Sequence, residues 1–119
     1  MSNNYGNQRS EQRVIIDRKY KFEILLKPKE KSKYRRFILK CILWNIASKG
    51  IGILIKKNER IINHLTIGKI IKVRYYDNLT DIPKPFFQAD IRHVSPSQNP
   101  KYKDYVQVGM LIIKNQKQA

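Results

Sequence analysis

Two arginines four residues apart, Arg9 and Arg13, and the segment Asn45-Ile46-Ala47-Ser48-Lys49-Gly50 are the parts of this sequence best suited to hold a ligand. A guanidinium fork bonds two acceptors at once, either O6 and N7 of guanine or two oxygens of a phosphate. It also lies flat against a purine. Asn45 offers both a donor and an acceptor to a base edge. Gly50 permits positive φ and, lacking a Cβ, lets a flat ligand approach the backbone. Each motif has an ordinary reading by itself, a solvated basic tail for the first and a turn for the second. Catalysis has less support, because the nine acidic residues form no carboxylate pair and the chain shows no nucleophile–base pair or Gly-rich phosphate loop. The expectation is a binding module, not an enzyme, with no cofactor.

These residues need a frame, and the hydrophobic pattern supplies one. Tyr20, Phe22 and Ile24 alternate with Lys21 and Glu23, the period-two signature of a half-buried strand. Pro28 stops it. Further strands are predicted over residues 37–44, 51–55, 70–76, 86–94 and 105–113. The two prolines of 77–85 keep that stretch out of a sheet interior. Six short strands joined by Gly/Pro-containing turns predict an all-β domain, a small antiparallel barrel or sandwich. Asn45 to Gly50 would then be the junction between the second and third strands. Residues 1–18 read as a flexible N-terminal arm carrying the arginine pair, 19–113 as the folded domain and 114–119 as a polar tail.

The remaining features read plainly. At 119 residues the chain is expected to be one domain. No apolar run approaches the ~18 residues that span a bilayer. The polar start gives no sign of secretion, so a cytoplasmic protein is expected. Cys41, the single cysteine, lies in an apolar stretch and reads as a small buried side chain. His64 and His93 have no cysteine or carboxylate at metal-ligand spacing, and His93 falls on the same face as Phe87, Ala89 and Ile91. Trp44, Tyr20 and Tyr75 sit at alternating positions and are expected in the core. The net charge of +16 attracts polyanions without saying which.

Taken together and in order, the motifs resemble the PilZ family. Arg9-Ser10-Glu11-Gln12-Arg13 matches its RxxxR, and 45–53 matches its (D/N)xSxxG segment, with Ala47 at the serine position. Ile67-Gly68-Lys69-Ile70-Ile71-Lys72-Val73 looks like the family's G-x-x-V-x-V strand. Ala89-Asp90-Ile91-Arg92-His93-Val94 and Val106-Gln107-Val108-Gly109-Met110 look like its closing pair. The resemblance implies a six-stranded PilZ-like barrel, but the tail after Ile113 is too short for the C-terminal helix many members carry, so little or no such helix is expected and one side is left for a partner. It also implies a cyclic di-GMP site. Carried over, it assigns Arg9, Arg13, Asn45 and Gly50 to the ligand, with Ala47 at the serine position. Gln8, Ser48 and Lys49 are additional contacts. Ala47 cannot donate the side-chain hydrogen bond of a serine, a loss of about 0.5–1.5 kcal/mol. Ser48, one residue later, points to the other face of an extended segment.

Three readings follow. The first is a cyclic di-GMP receptor whose arm changes conformation on binding and signals to a protein partner with an acidic surface, in motility, biofilm or envelope regulation. The second keeps the fold as a degenerate adaptor that does not bind the dinucleotide. The third, behind both, is a small basic RNA- or DNA-binding barrel.

Overall fold

In the computed structural model, residues 12–27 and 34–113 are described. Gln8, Arg9, the start of the arm and the tail at 114–119, with the expectation about a C-terminal helix, lie outside them. The strands are β1 (Val14–Leu26), β2 (Arg35–Ile46), β3 (Gly50–Lys56), β4 (Ile70–Tyr75), β5 (Phe87–Pro96) and β6 (Tyr105–Ile113). They close into a barrel in the order β1-β2-β3-β6-β5-β4, and every neighbouring pair is antiparallel. Of the barrel and sandwich that the pattern left open, the barrel is therefore the outcome. Short 3-10 turns at Arg60–His64 and Pro100–Tyr102 are the helical pieces among the described residues. None is long and apolar enough to cross a membrane.

The alternation explains the interior. Phe22 and Ile24 of β1, Cys41 and Leu43 of β2, and Ile51, Ile53 and Ile55 of β3 point inward. They meet Ile71, Val73, Ala89, Ile91, Val108 and Met110 from the other strands. Ile61 and Leu65, from the connection between β3 and β4, join the same cluster. Burial pushes the Cys41 thiol well above its usual range, as expected of a packing residue. Tyr20 and Tyr75 pack against this core as expected.

The pattern misplaces several features, and each time the cause is a bulge or the phase of a strand. β1 begins at Val14, so 14–18 belong to the barrel and not to the arm. A register shift between Ile15 and Arg18, with Asp17 in the left-handed region (φ 49), breaks the alternation there. Trp44 stands on the outer face, in phase with Ile42, its ring edge-on to Tyr102 at 6.1 Å. His93 is exposed because β5 shifts register between Ile91 and His93.

On the outside, Glu23 clamps three strands. The residue is 3% exposed, and its carboxylate accepts from Arg36 Nε of β2 (2.5 Å), Arg74 Nε of β4 (2.8 Å) and the Tyr76 hydroxyl (2.9 Å). Desolvation alone would raise its pKa. The bonds from Arg36, Tyr76 and Arg74 outweigh that and hold the carboxyl below its usual range.

Candidate functional site

The site is built on the β2–β3 hairpin. Ala47 N donates to Gly50 O at 2.9 Å and Gly50 N to Ala47 O at 3.4 Å, so Ser48 and Lys49 form a two-residue tip. Just before the turn, a register shift between Leu43 and Asn45 sets Asn45 opposite Gly52. The Asn45 side chain lies across that glycine: a Cβ at position 52 would stand 2.7 Å from Asn45 Oδ1. Only a residue without a Cβ lets the amide settle there, and it does so 9% exposed.

A buried amide oxygen needs a donor, and Arg13 supplies it. Its Nη1 donates to Asn45 Oδ1 at 3.0 Å. Arg13 reaches this position because Val14 and Ile15 pair with Ile46 and Asn45, bringing the start of β1 alongside the end of β2. The guanidinium continues over Gly50, where a Cβ would lie 3.5 Å from Nη2 and 3.3 Å from the Met110 carbonyl oxygen. Gly50 thus contributes its missing Cβ. Its φ is not in the left-handed region, where Gly68 (φ 94) is the glycine found among the described residues.

Beside this pair runs a groove of about 270 Å³, lined in part by Arg13, Lys49, Gly50, Arg92, His93 and Leu111. Barrel closure makes it. β3 pairs with β6, so Gly50 faces Leu111, and β6 pairs with β5, which brings His93 opposite Gly109. Arg13 and Lys49 are exposed cations. Arg92 is held by Asp90 Oδ2 at 3.1 Å, and His93 Nε2 lies 2.7 Å from the Ser95 hydroxyl. A cationic rim beside bare backbone suits an anionic, flat ligand.

The fold is similar to a solved structure, that of the Bacillus subtilis inhibitor of motility (MotI/DgrA). The match has a TM-score of 0.52 and 14% identity, over 89% of this chain and 43% of that one. The likeness is one of fold. This chain spans less than half the length of that structure. No family model matches the chain, and no curated protein matches it.

Of the residues singled out from the sequence, Arg13, Asn45, Lys49 and Gly50 come together. Ala47 closes the hairpin through its backbone, its methyl 6% exposed. Ser48 is exposed at the tip. Arg9 and Gln8 are outside the described residues. The sequence reading missed Arg92, His93 and Leu111 as site residues. No local spacing links position 92 to 13 or 49, and only the pairing of β3, β6 and β5 does so. The resemblance was the one available signal, since it already marked 89–94 as a barrel strand.

Proposed function

We propose that this chain is a PilZ-like receptor for cyclic di-GMP that works as an adaptor toward a protein partner, not as an enzyme. One observation carries the reading: Arg13 is anchored by Asn45 over Gly50 at the mouth of a cationic groove. A guanidinium has five N–H donors, and the bond to Asn45 uses one. Among the described residues that is its one side-chain bond, and the other donors can meet a guanine edge or a phosphate. Arg9, four residues earlier, would add the second fork when the arm folds over the ligand. Lys49 and Arg92 supply further positive charge. The fold likeness to an inhibitor of motility supports an adaptor role without defining its ligand. In this reading the ordered arm offers a new surface to an acidic partner in the cytoplasm, in motility, biofilm or envelope regulation.

A second reading also has a specific observation behind it. The space over Gly50 is filled by the protein's own guanidinium, and Ala47 brings no hydroxyl. On that reading the chain is a ligand-free adaptor whose arginine stands where a base would stack.

Isothermal titration with cyclic di-GMP separates them, with GTP and a short single-stranded RNA as controls at two salt concentrations. Saturable heat from the cyclic dinucleotide, lost in Arg13→Ala, is the expected result. Silence with the dinucleotide in both the parent and Ala47→Ser would overturn the receptor reading and leave the adaptor. Heat from RNA alone, falling steeply with salt, would point instead to nucleic-acid binding.

A further inference from the structure

The far end of β2 carries a second concentration of positive charge with different chemistry. Arg35 and Asn45 are ten residues apart on one strand, roughly 33 Å, so the two regions are separate sites. A groove of about 440 Å³ opens there between the start of β2 and the connection from β3 to β4, lined in part by Arg35, Phe37, Ile38, Asn58, Glu59 and Arg60. The Arg35 guanidinium lies 5.4 Å from the centroid of the Phe37 ring, and the His64 ring centroid lies 5.8 Å from the same ring.

Among the described residues, Arg35, Arg60 and Lys69 surround His64 here, and Glu59 is the carboxylate in the lining. Arg35 Nη1 stands 3.4 Å from His64 Nε2, a contact that a neutral imidazole accepts and a protonated one opposes. Burial, and then the charges of Arg35, Lys69 and Arg60, hold the His64 pKa below its usual value. Lys69 Nζ donates to the His64 carbonyl at 3.3 Å. Neither Arg35 nor Arg60 has a carboxylate within ion-pair distance among the described residues. Arg36, next along the strand, is different: its guanidinium is committed to Glu23. An anion held by Arg35 and Arg60, which line the same groove, would offset the positive charge around His64 and meet guanidinium donors from both.

We propose that this groove is a second ligand site, for a small phosphate-bearing molecule whose phosphates are gripped by Arg35 and Arg60 and whose flat group rests on Phe37. The volume suits a ligand of mononucleotide size, within the roughly 300–1,000 Å³ of small-molecule pockets. The site does not depend on the cyclic di-GMP reading, since it shares no residue with the Arg13 groove.

The test is a titration of the full chain, labelled with nitrogen-15, followed by NMR at the arginine Nε–H groups and the histidine rings. The probes are pyrophosphate, GDP and phosphatidylcholine vesicles containing phosphatidic acid. Two variants lose the same charge: Arg35→Gln/Arg60→Gln in the groove, and Lys84→Gln/Lys103→Gln at exposed positions elsewhere. Backbone amide spectra check that both are folded. Pyrophosphate is expected to shift Arg35, Arg60 and His64 saturably and to move the His64 titration upward. The groove variant should bind at least tenfold more weakly and the control less than twofold. GDP binding more tightly than pyrophosphate would support the flat-group contact with Phe37. Vesicle binding that needs Arg35 and Arg60, with GDP no better than pyrophosphate, would overturn the small-molecule assignment in favour of a lipid headgroup. Equal weakening of the two variants, or shifts scattered over the lysines, would overturn the site itself. Shifts confined to Arg13 and Arg92 would do the same and leave the cyclic di-GMP reading standing.

Discussion

Among the described residues two polar side chains are buried, Glu23 and Asn45, and arginines meet both of them to different effect. Glu23 takes bonds from two guanidiniums and a phenol, and these join β1, β2 and the end of β4. Arg74 is further fixed with its guanidinium 4.2 Å from the centre of the Phe86 ring. That cluster is closed: the carboxylate accepts three bonds, and both guanidiniums are committed to it. Among the described residues Asn45 holds one guanidinium by one bond, beside two glycines and with no carboxylate paired to it. That cluster is open. An arginine committed to a buried carboxylate serves the fold, whereas one oriented by a neutral amide keeps charge and donors for something else.

The comparison can be broken most directly at Glu23. Glu23→Ala should destabilise the barrel by about 3 kcal/mol, the low end for breaking a buried pair, because Arg36 can turn to water. Urea denaturation measures it. The pH dependence has a defined sign. A carboxyl held below its usual pKa contributes stability that is complete above the unfolded value, about 4.3, and is lost as pH falls through the folded value. Glu23→Gln should flatten that acid limb.

Arg13→Ala should do the opposite of Glu23→Ala. Stability should fall by about 1 kcal/mol, the low end for a buried acceptor that loses its donor, because water can reach Asn45 Oδ1 once the exposed arginine is gone. Affinity for cyclic di-GMP should fall by about 1.5–3 kcal/mol, roughly 10- to 100-fold. A variant that unfolds instead would place Arg13 with Arg36 and Arg74 as a structural arginine.

Gly52→Ala sharpens the contrast from the other side. Its new methyl meets Asn45 Oδ1, so the amide must move and release Arg13, at a cost of about 1–3 kcal/mol of stability. Thermal unfolding and dinucleotide titration on the same sample would show both effects. The smallest expected change is Ala47→Ser, a gain of up to about tenfold in affinity for cyclic di-GMP. No gain would mean that the buried position 47 does not face the ligand.

Much of the fold was legible because alternation is a local property. Phe22 and Ile24, Ile51, Ile53 and Ile55, and Ile71 with Val73 declare an inner face within a few residues, and all of them are in the core. Trp44 and His93 were misread because phase is not local. A shift of one residue, such as that between Ile91 and His93, reverses every side chain beyond it. The hairpin motif was legible for the same reason as the strands, since Asn45 to Gly50 is a contiguous turn. Arg13 was legible only through its spacing to Arg9 and the resemblance this supports.

By itself, then, the sequence determined the all-β class, most of the strands, the composition of the core and the hairpin that carries Asn45 and Gly50. Each depends on residues close together in the chain. The tertiary structure decided the rest: closure of β3 on β6 and β6 on β5, which carries Arg92 and His93 to the hairpin, and the laying of Asn45 across Gly52. It also separated the arginines bonded to Glu23 from Arg13, Arg35 and Arg60, which have no carboxylate partner among the described residues. An arginine's role depends on what stands within about 4 Å of its guanidinium, and in a barrel those neighbours come from strands distant in sequence.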